Sequence, residues 1–273
     1  MNEKGLSVTI NASKSDIPTQ AATPISIVAR EILQYAKNID EAFAIAQTRT
    51  PFVSESLLIG SLEDNKTATI EKTPTKTVLH YSENNASAIC VNHFQDKSFS
   101  NDPINIANIA TSSSNYRLKH LTTLINAEPK MSFDYACSIL RNRNGIQEKN
   151  IGNGNEKALN QLIAHHAIIF NLTQKKVWVS TSPYQLGKFV CYDLNKIFKI
   201  APPLSTKMEL YDSSYTIAAD SFLFSPEYKK YLIYKRWRTI FRDIDRLENP
   251  FYIRDVAINN YIKLNPEYYK TYY

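Results

Sequence analysis

The chain has 273 residues, enough for one large domain or two small ones with a substantial core. Hydrophobic residues make up 43%, close to the average of globular proteins, so intrinsic disorder is not expected. No apolar run approaches the roughly 18–20 residues of a membrane-spanning helix. The N-terminus has no apolar segment typical of a signal peptide, and the sequence does not predict a compartment.

The chain carries a net charge of +6, with a pI near 9.0. This balance permits anionic partners without specifying one. The basic residues are partly concentrated in a helical stretch from Lys229 to Arg242, which also contains acidic residues. A solvated helix face explains this stretch better than nucleic-acid binding, since no nucleic-acid-binding motif accompanies it.

The cysteines and glycines do not form a recognisable cofactor site. Cys90, Cys137 and Cys191 are far apart and form no Cys-x-x-Cys pair, so neither a disulfide framework nor a zinc site is predicted. Each lies in an apolar setting that favours a packing role over a nucleophilic one. The loop at 152–155 has two glycines but lacks the third glycine and the βαβ context of a phosphate cradle. We therefore predict no cofactor.

The first third of the chain alternates helices with short strands. The predicted elements are a strand at Leu6–Ile10, helices from Thr23 to Lys37 and from Asp40 onward, and strands at Ser56–Gly60, Thr67–Glu71, Thr77–Tyr81 and Ala86–Val91. The last four strands are separated by turn-forming residues, a spacing typical of an antiparallel meander.

The rest of the chain repeats the alternation. A polar connection to Ser114 precedes predicted helices at Tyr116–Ile125 and Ser132–Arg141. Three predicted strands follow, at Leu162–Phe170, Lys176–Ser180 and Lys188–Tyr192. From Ser214 onward the chain is predicted to be helical, with a break before Pro250 and a further helix at Phe251–Leu264. This order fits an α+β fold, a four-layer αββα sandwich of two antiparallel sheets, over residues 1–205, with a helical segment at 206–273 packed on it. One large sheet is the alternative.

The stretch with the clearest functional potential is Ala88–Phe94. An apolar run ends there in Asn92, His93 and Phe94. A buried strand that presents polar side chains at its end can line a pocket, and the Asn92 amide N–H suits an oxyanion-hole donor. The alternative is structural, with Asn92 ending a strand and His93 filling a turn.

Several segments occur in an order that resembles a known family. They are Met1–Val8, the Glu63-Asp64 turn followed by Ala68–Glu71, Val91–Phe94, Ser112–Arg117, His165–Phe170, Val177–Ser180 and Tyr192–Leu194. Together they resemble the penicillin acyltransferase-like (acyl-CoA:6-aminopenicillanic acid acyltransferase) family of N-terminal-nucleophile hydrolases, which is related to choloylglycine hydrolases, penicillin V acylases and acid ceramidase-type amidases. The resemblance runs to about residue 200. Within it, we expect Glu71 to be a structural carboxylate at a strand end.

The resemblance implies chemistry in which a cysteine thiol attacks an acyl carbonyl while the cysteine's own α-amine accepts and returns the proton. By motif, Asn92 is expected to be an oxyanion-hole or substrate-orienting amide. Arg117 is expected to be a supporting cation whose charge favours the thiolate. Asn11 is a third candidate catalytic residue, and His93 and Phe94 are candidate substrate-binding residues.

The nucleophile of this family precedes the Asn-Glu-Lys-Gly-Leu segment, which here begins at Asn2. We therefore expect the nucleophile, its nearest helpers and the first strands of the sandwich to lie outside these 273 residues. The predicted function is that of a cysteine amidohydrolase or acyltransferase for an acyl-amide small molecule, inactive without a separate N-terminal segment. The alternative is a non-catalytic acyl- or lipid-binding protein on the same fold. No nucleic-acid partner is predicted, and a homo-oligomer is left open.

Overall fold

The computed structural model describes residues 1–15, 22–82, 87–128, 130–200, 209–245 and 255–272. The strands in these ranges are β1 (Leu6–Ala12), β2 (Glu55–Ser61), β3 (Lys66–Lys72), β4 (Thr77–His80), β5 (Ile168–Asn171), β6 (Lys176–Ser180), β7 (Phe189–Asp193) and β8 (Tyr211–Ile217). The helices are α1 (Ile25–Tyr35), α2 (Ile39–Thr48), α3 (Pro103–Thr111), α4 (Ser114–Ala127), α5 (Phe133–Arg141), α6 (Leu194–Ile200), α7 (Pro226–Asp245) and α8 (Asp255–Leu264).

The strands form two four-stranded sheets, ordered β1-β2-β3-β4 and β5-β6-β7-β8. In the first sheet Val8 lies opposite Ile59, and Ile59 lies opposite Ala68, so neighbouring strands are antiparallel and in register. The predicted α+β class with two antiparallel sheets is confirmed.

The chain divides into two compact units, each built from separate stretches of sequence. The first comprises residues 1–133, 168–178 and 191–214, and the second comprises 134–167, 179–190 and 215–273. The predicted boundary between 205 and 206 falls within residues 201–208, outside the described ranges.

One face of the first sheet packs against helices α1 and α2. This core contains Leu6, Val28, Ile32, Ala42, Leu57, Ile59, Ala68 and Ile70. Because side chains alternate along a strand, the other face carries the register-matched Asn11, Ser56 and Glu71, together with Thr69. Ser56, Thr69 and Glu71 are nevertheless almost fully buried. This buried polar face supports the candidate site.

The second unit has a core rich in tyrosine. It contains Leu162, Leu186, Tyr228, Tyr231, Tyr234, Tyr261 and Tyr268, and the Tyr234 and Tyr261 rings stack with centroids 4.9 Å apart. Gly152 has a φ of +80°, and a Cβ added there would lie 2.5 Å from the Tyr268 backbone nitrogen. The glycine therefore allows the 152–155 loop to approach the C-terminal segment closely.

Two predicted elements in the second half of the chain are wrong. Residues 162–167 do not form a strand, because Leu162 has a φ of +54° and donates its N–H to the Asn160 side chain. The predicted helix from Ser214 is a strand up to Ile217. Helix α7 begins only at Pro226, after a 3₁₀ turn capped by Asp220.

Candidate functional site

The segment that precedes Asn92 is irregular, so the predicted strand at Ala86–Val91 is wrong; its first residue, Ala86, lies outside the described ranges. Side-chain amides, not a neighbouring strand, bind its backbone carbonyls. Gln95 Nε2 donates to Ile89 O (2.6 Å), and Asn11 Nδ2 donates to Cys90 O (3.5 Å). Asn108 Nδ2 donates to Asn92 O (2.7 Å). These bonds satisfy the carbonyls without strand pairing.

Asn92 and Arg117 meet in the structure. The Arg117 guanidinium donates to Asn92 Oδ1 at 2.7 Å, and Asn92 Nδ2 donates to the carbonyl of Ala12 at 3.0 Å. The Asn92 backbone N–H donates to Ser114 Oγ at 2.9 Å. The side-chain oxygen therefore faces the cation, while the nitrogen faces the end of β1. The second hydrogen on Nδ2 has no acceptor in the part of the chain that the structure describes.

Asn11 lies in the same region, where its side chain donates to the Cys90 carbonyl. It lies near the end of β1, opposite Ser56, and is half-buried. The next residue, Ala12, supplies the carbonyl that binds the Asn92 amide. The structure thus brings all three predicted catalytic residues into one region, with a direct contact between Asn92 and Arg117.

His93 and Phe94 point into the protein, with 5% and 2% of their surfaces exposed. His93 Nδ1 lies 2.8 Å from Ser114 Oγ, and burial, together with the nearby Arg117 charge, lowers the pKa of His93. Phe94 stacks on Phe99 with ring centroids 4.4 Å apart. Both side chains lie in the protein interior and support the loop that carries Asn92. That they contact a substrate stays a prediction.

Helix α3 supplies support that the sequence reading missed. Asn105, only 2% exposed, accepts the N–H of Phe94 (3.0 Å) and donates to its carbonyl (3.1 Å). The sequence does carry a signal for this helix, because Asp102 followed by Pro103 is typical of a helix start. Asp102 Oδ1 indeed accepts the N–H of Asn105 and caps the helix.

Glu71 anchors the far end of the loop. Its two carboxylate oxygens accept the N–H groups of Gln95 (2.6 Å) and Asp96 (3.0 Å). Burial raises the pKa of Glu71 even though these two bonds favour its ionised form. The expectation of a structural carboxylate is confirmed.

The three cysteines are poor nucleophiles where they lie. Burial raises the pKa of the Cys90 thiol to about 12, and the neighbouring Glu71 adds to the shift. Burial also raises the pKa values of Cys137 and Cys191 to about 11. Since the thiolate is the reactive form, none of the three is activated at neutral pH.

A cavity of about 370 Å³ adjoins the loop. Its walls include Thr69, His80, Ile89, Gln95, Leu118 and Thr122. The Thr69 hydroxyl is buried and has no hydrogen-bond partner among the described residues. Helix α4 contributes Leu118 to this cavity and Arg117 to the contact with Asn92, so the cavity lies close to the candidate site.

The comparison with known protein families gives one finding. The family model described as acyl-coenzyme A:6-aminopenicillanic acid acyl-transferase matches residues 1–182. No curated protein matches the chain. The matched region contains the whole Asn92 cluster and the first sheet.

Proposed function

Because the chain belongs to the acyl-coenzyme A:6-aminopenicillanic acid acyl-transferase family, we propose that it carries the oxyanion-binding part of a cysteine amidohydrolase or acyltransferase of the N-terminal-nucleophile type. The substrate class is an acyl amide, and the bond broken is its carbon–nitrogen bond. The observation that carries the proposal is the 2.7 Å contact between the Arg117 guanidinium and Asn92 Oδ1.

That contact supports Asn92 as the donor to the developing oxyanion. With Oδ1 bound to a cation and one Nδ2 hydrogen bound to Ala12, the amide has a fixed orientation and one hydrogen left for a ligand. The guanidinium also polarises the amide, which strengthens the Nδ2–H as a donor. Arg117 then acts as a positioning residue.

The reaction proceeds in two steps. A thiolate attacks the acyl carbon, a C–S bond forms, and the carbonyl electron pair moves to the oxygen, which the Asn92 N–H stabilises. The pair returns as the C–N bond breaks, and the departing amine takes a proton. Water or a second amine then displaces the thiol from the thioester, giving hydrolysis or acyl transfer.

The attacking thiol comes, in this proposal, from a segment outside these 273 residues. The support is the raised pKa of all three cysteines, of which Cys137 and Cys191 are buried and Cys90 is partly buried, so that very little thiolate forms at neutral pH. The chain by itself is therefore expected not to turn over acyl amides. If coding sequence upstream of residue 1 encodes a cysteine followed by arginine and aspartate, the proposal gains support, and if it does not, this step of the proposal fails.

The test compares the chain alone with the chain joined to such an N-terminal segment, using fatty, bile-type and penicillin-type amides. In the joined protein, Asn92→Ala should lower kcat by about 100-fold or more. Asn101→Ala, at an exposed asparagine, is the matched control and should leave kcat unchanged. If the chain alone hydrolyses these amides, and still does so after all three cysteines are replaced by serine, the proposal is refuted.

The cavity beside the loop favours a second candidate function, a small-molecule binding protein without catalysis. Its 370 Å³ volume and the unpartnered Thr69 hydroxyl suit a ligand with an apolar part and a polar acceptor. This alternative predicts saturable binding of acyl amides with no hydrolysis in the joined protein. Calorimetric titration followed by product analysis distinguishes the two functions.

A further inference from the structure

Helix α7 exposes a stripe of apolar side chains. Ile233, Trp237 and Ile240 recur at a spacing that places them on one face of the helix. Their exposed fractions are 50%, 40% and 39%. Tyr231, on the opposite face, and Tyr234, between the two faces, are buried in the tyrosine core. The helix is therefore apolar both on its packed face and on its open face.

The open face is also positively charged. Lys229 and Arg236 lie on one side of the stripe and Lys230 lies on the other, and all three are exposed. Acidic residues occur only near the two ends of α7. Glu227 lies in the first turn, and Asp243 in the last turn pairs with Arg242 at 3.3 Å. Between these ends, from Tyr228 to Arg242, the helix carries no acidic residue.

We propose that α7 docks on an anionic lipid surface, with Ile233, Trp237 and Ile240 in the boundary between head groups and acyl chains. An amphipathic helix with Trp on its apolar face and Lys or Arg beside it has the features of an interfacial helix. The basic side chains reach outward to the anionic head groups while the stripe enters the boundary. Within the described ranges, no helix is long and apolar enough to cross a bilayer.

Charge complementarity distinguishes this occupant from others. A second copy of the chain would bring two identical cationic faces together, which repel. A nucleic acid would neutralise the charge but leave the apolar stripe in water. An anionic lipid surface satisfies both features, and the proposal does not depend on the catalytic function proposed above.

The two tryptophans of the chain give a direct readout. Trp178 in β6 is fully buried, whereas Trp237 is 40% exposed. Adding vesicles of phosphatidylcholine and phosphatidylserine should shift the Trp emission to the blue, and brominated phospholipids should quench it. Trp237→Phe should still bind in a flotation assay but lose the shift and the quenching.

Matched substitutions test the stripe and the charge separately. Ile233→Ser should weaken vesicle binding about tenfold, whereas Ile27→Ser, at an isoleucine 49% exposed on α1, should not. Arg236→Gln should weaken binding about fivefold at low salt, whereas Lys149→Gln, at an exposed lysine outside α7, should not. Circular dichroism checks that each variant is folded.

Four outcomes would overturn the proposal. The first is equal binding to vesicles that lack phosphatidylserine, and the second is equal loss in Ile233→Ser and Ile27→Ser. The third is that the protein binds duplex DNA or RNA but not vesicles, and that Ile233→Ser does not change its nucleic-acid binding. The fourth is self-association that Ile233→Ser abolishes, again without vesicle binding.

Discussion

At the scale of single residues, Ser114 connects the parts of the candidate site. Its hydroxyl accepts the backbone N–H of Asn92 and lies 2.8 Å from His93 Nδ1. Because the residue is fully buried, water cannot replace the hydroxyl in either contact. The position of Asn92 therefore depends on a serine to which the resemblance assigns no role, although it lies within the Ser112–Arg117 segment.

Ser114→Ala should destabilise the protein by about 1–3 kcal/mol, because it leaves the Asn92 N–H without an acceptor. Ser138→Ala is the control, since that exposed hydroxyl bonds only to the Tyr135 carbonyl in its own helix. The control should change the free energy of unfolding by less than about 0.5 kcal/mol. Urea denaturation measures both variants, and equal effects would contradict the role given to Ser114.

A second residue-scale prediction concerns Lys72, which is 2% exposed and donates to Thr77 Oγ1. Burial lowers the pKa of Lys72 from 10.5 to about 8. Between these two values the folded chain has lost the proton while the unfolded chain retains it, so unfolding takes up a proton. Raising the pH across this window should therefore stabilise the fold.

Lys72→Met should remove this rise. The measurement is the free energy of unfolding at several pH values from 7 to about 10. Lys66→Met, at the exposed start of the same strand, is the control and should leave the slope as it is in the wild type. An identical slope in Lys72→Met and the wild type would contradict the prediction.

At the scale of elements, the site depends on helix α3, which lies in a stretch whose polar sequence predicts only a connection. Helix α3 holds both backbone groups of Phe94 through Asn105. Asn105→Ala should cost about 2–4 kcal/mol, because two buried backbone groups lose their partners. Ile106→Ala, at an exposed position on the same helix, should cost far less. Thermal unfolding compares them, and similar losses would mean that the amide bonds contribute little.

The elements also show what the sequence could and could not predict. Strand β6 was predicted with its observed bounds and β1 to β3 with bounds that differ by one or two residues, because their apolar residues alternate or run together between turn residues. The segment before Asn92 has the same apolar character, yet amide side chains bind its carbonyls and no strand forms. Such tertiary hydrogen bonds leave no periodic signal. Strand β8 was missed because its polar sequence does not alternate clearly.

Only the part of the candidate site that carries a family motif could be predicted from the sequence. A family motif identified Asn92 and Arg117, and the structure places them in contact. Ser114 lies within the Ser112–Arg117 segment of the resemblance and Asn105 lies outside every such segment. Neither has a role that the sequence predicts, because their contacts depend on how α3, α4 and the loop pack together. Glu71 was identified as structural, although its two backbone partners could not be foreseen.

At the scale of the whole molecule, the two units have cores of different chemistry. Aliphatic side chains form the core of the first unit, and tyrosines form most of that of the second. In the second unit the glycines of the 152–155 loop make close packing possible. Gly154 would also place a Cβ 2.9 Å from the Tyr231 hydroxyl oxygen.

Gly152→Ala should therefore destabilise the second unit by about 2 kcal/mol or more. The cause is a strained positive φ together with a clash against the Tyr268 backbone. Asn153→Ala in the same loop is the control, since only backbone groups of Asn153 bond to Asn265. Near-UV circular dichroism of the tyrosines during denaturation measures the effect, and wild-type stability in Gly152→Ala would contradict it.

The loop that carries Asn92 is held largely by carboxamides, those of Asn11, Gln95, Asn105 and Asn108. A carboxamide has no proton to gain or lose across the physiological range of acidity. These ties consequently stay intact while thiols and amines change their ionisation. Under the proposed function, a rate that varies with acidity would therefore report ionisable groups such as the attacking sulfur, the leaving nitrogen or the Glu71 carboxylate, and not a change in these four amide bonds.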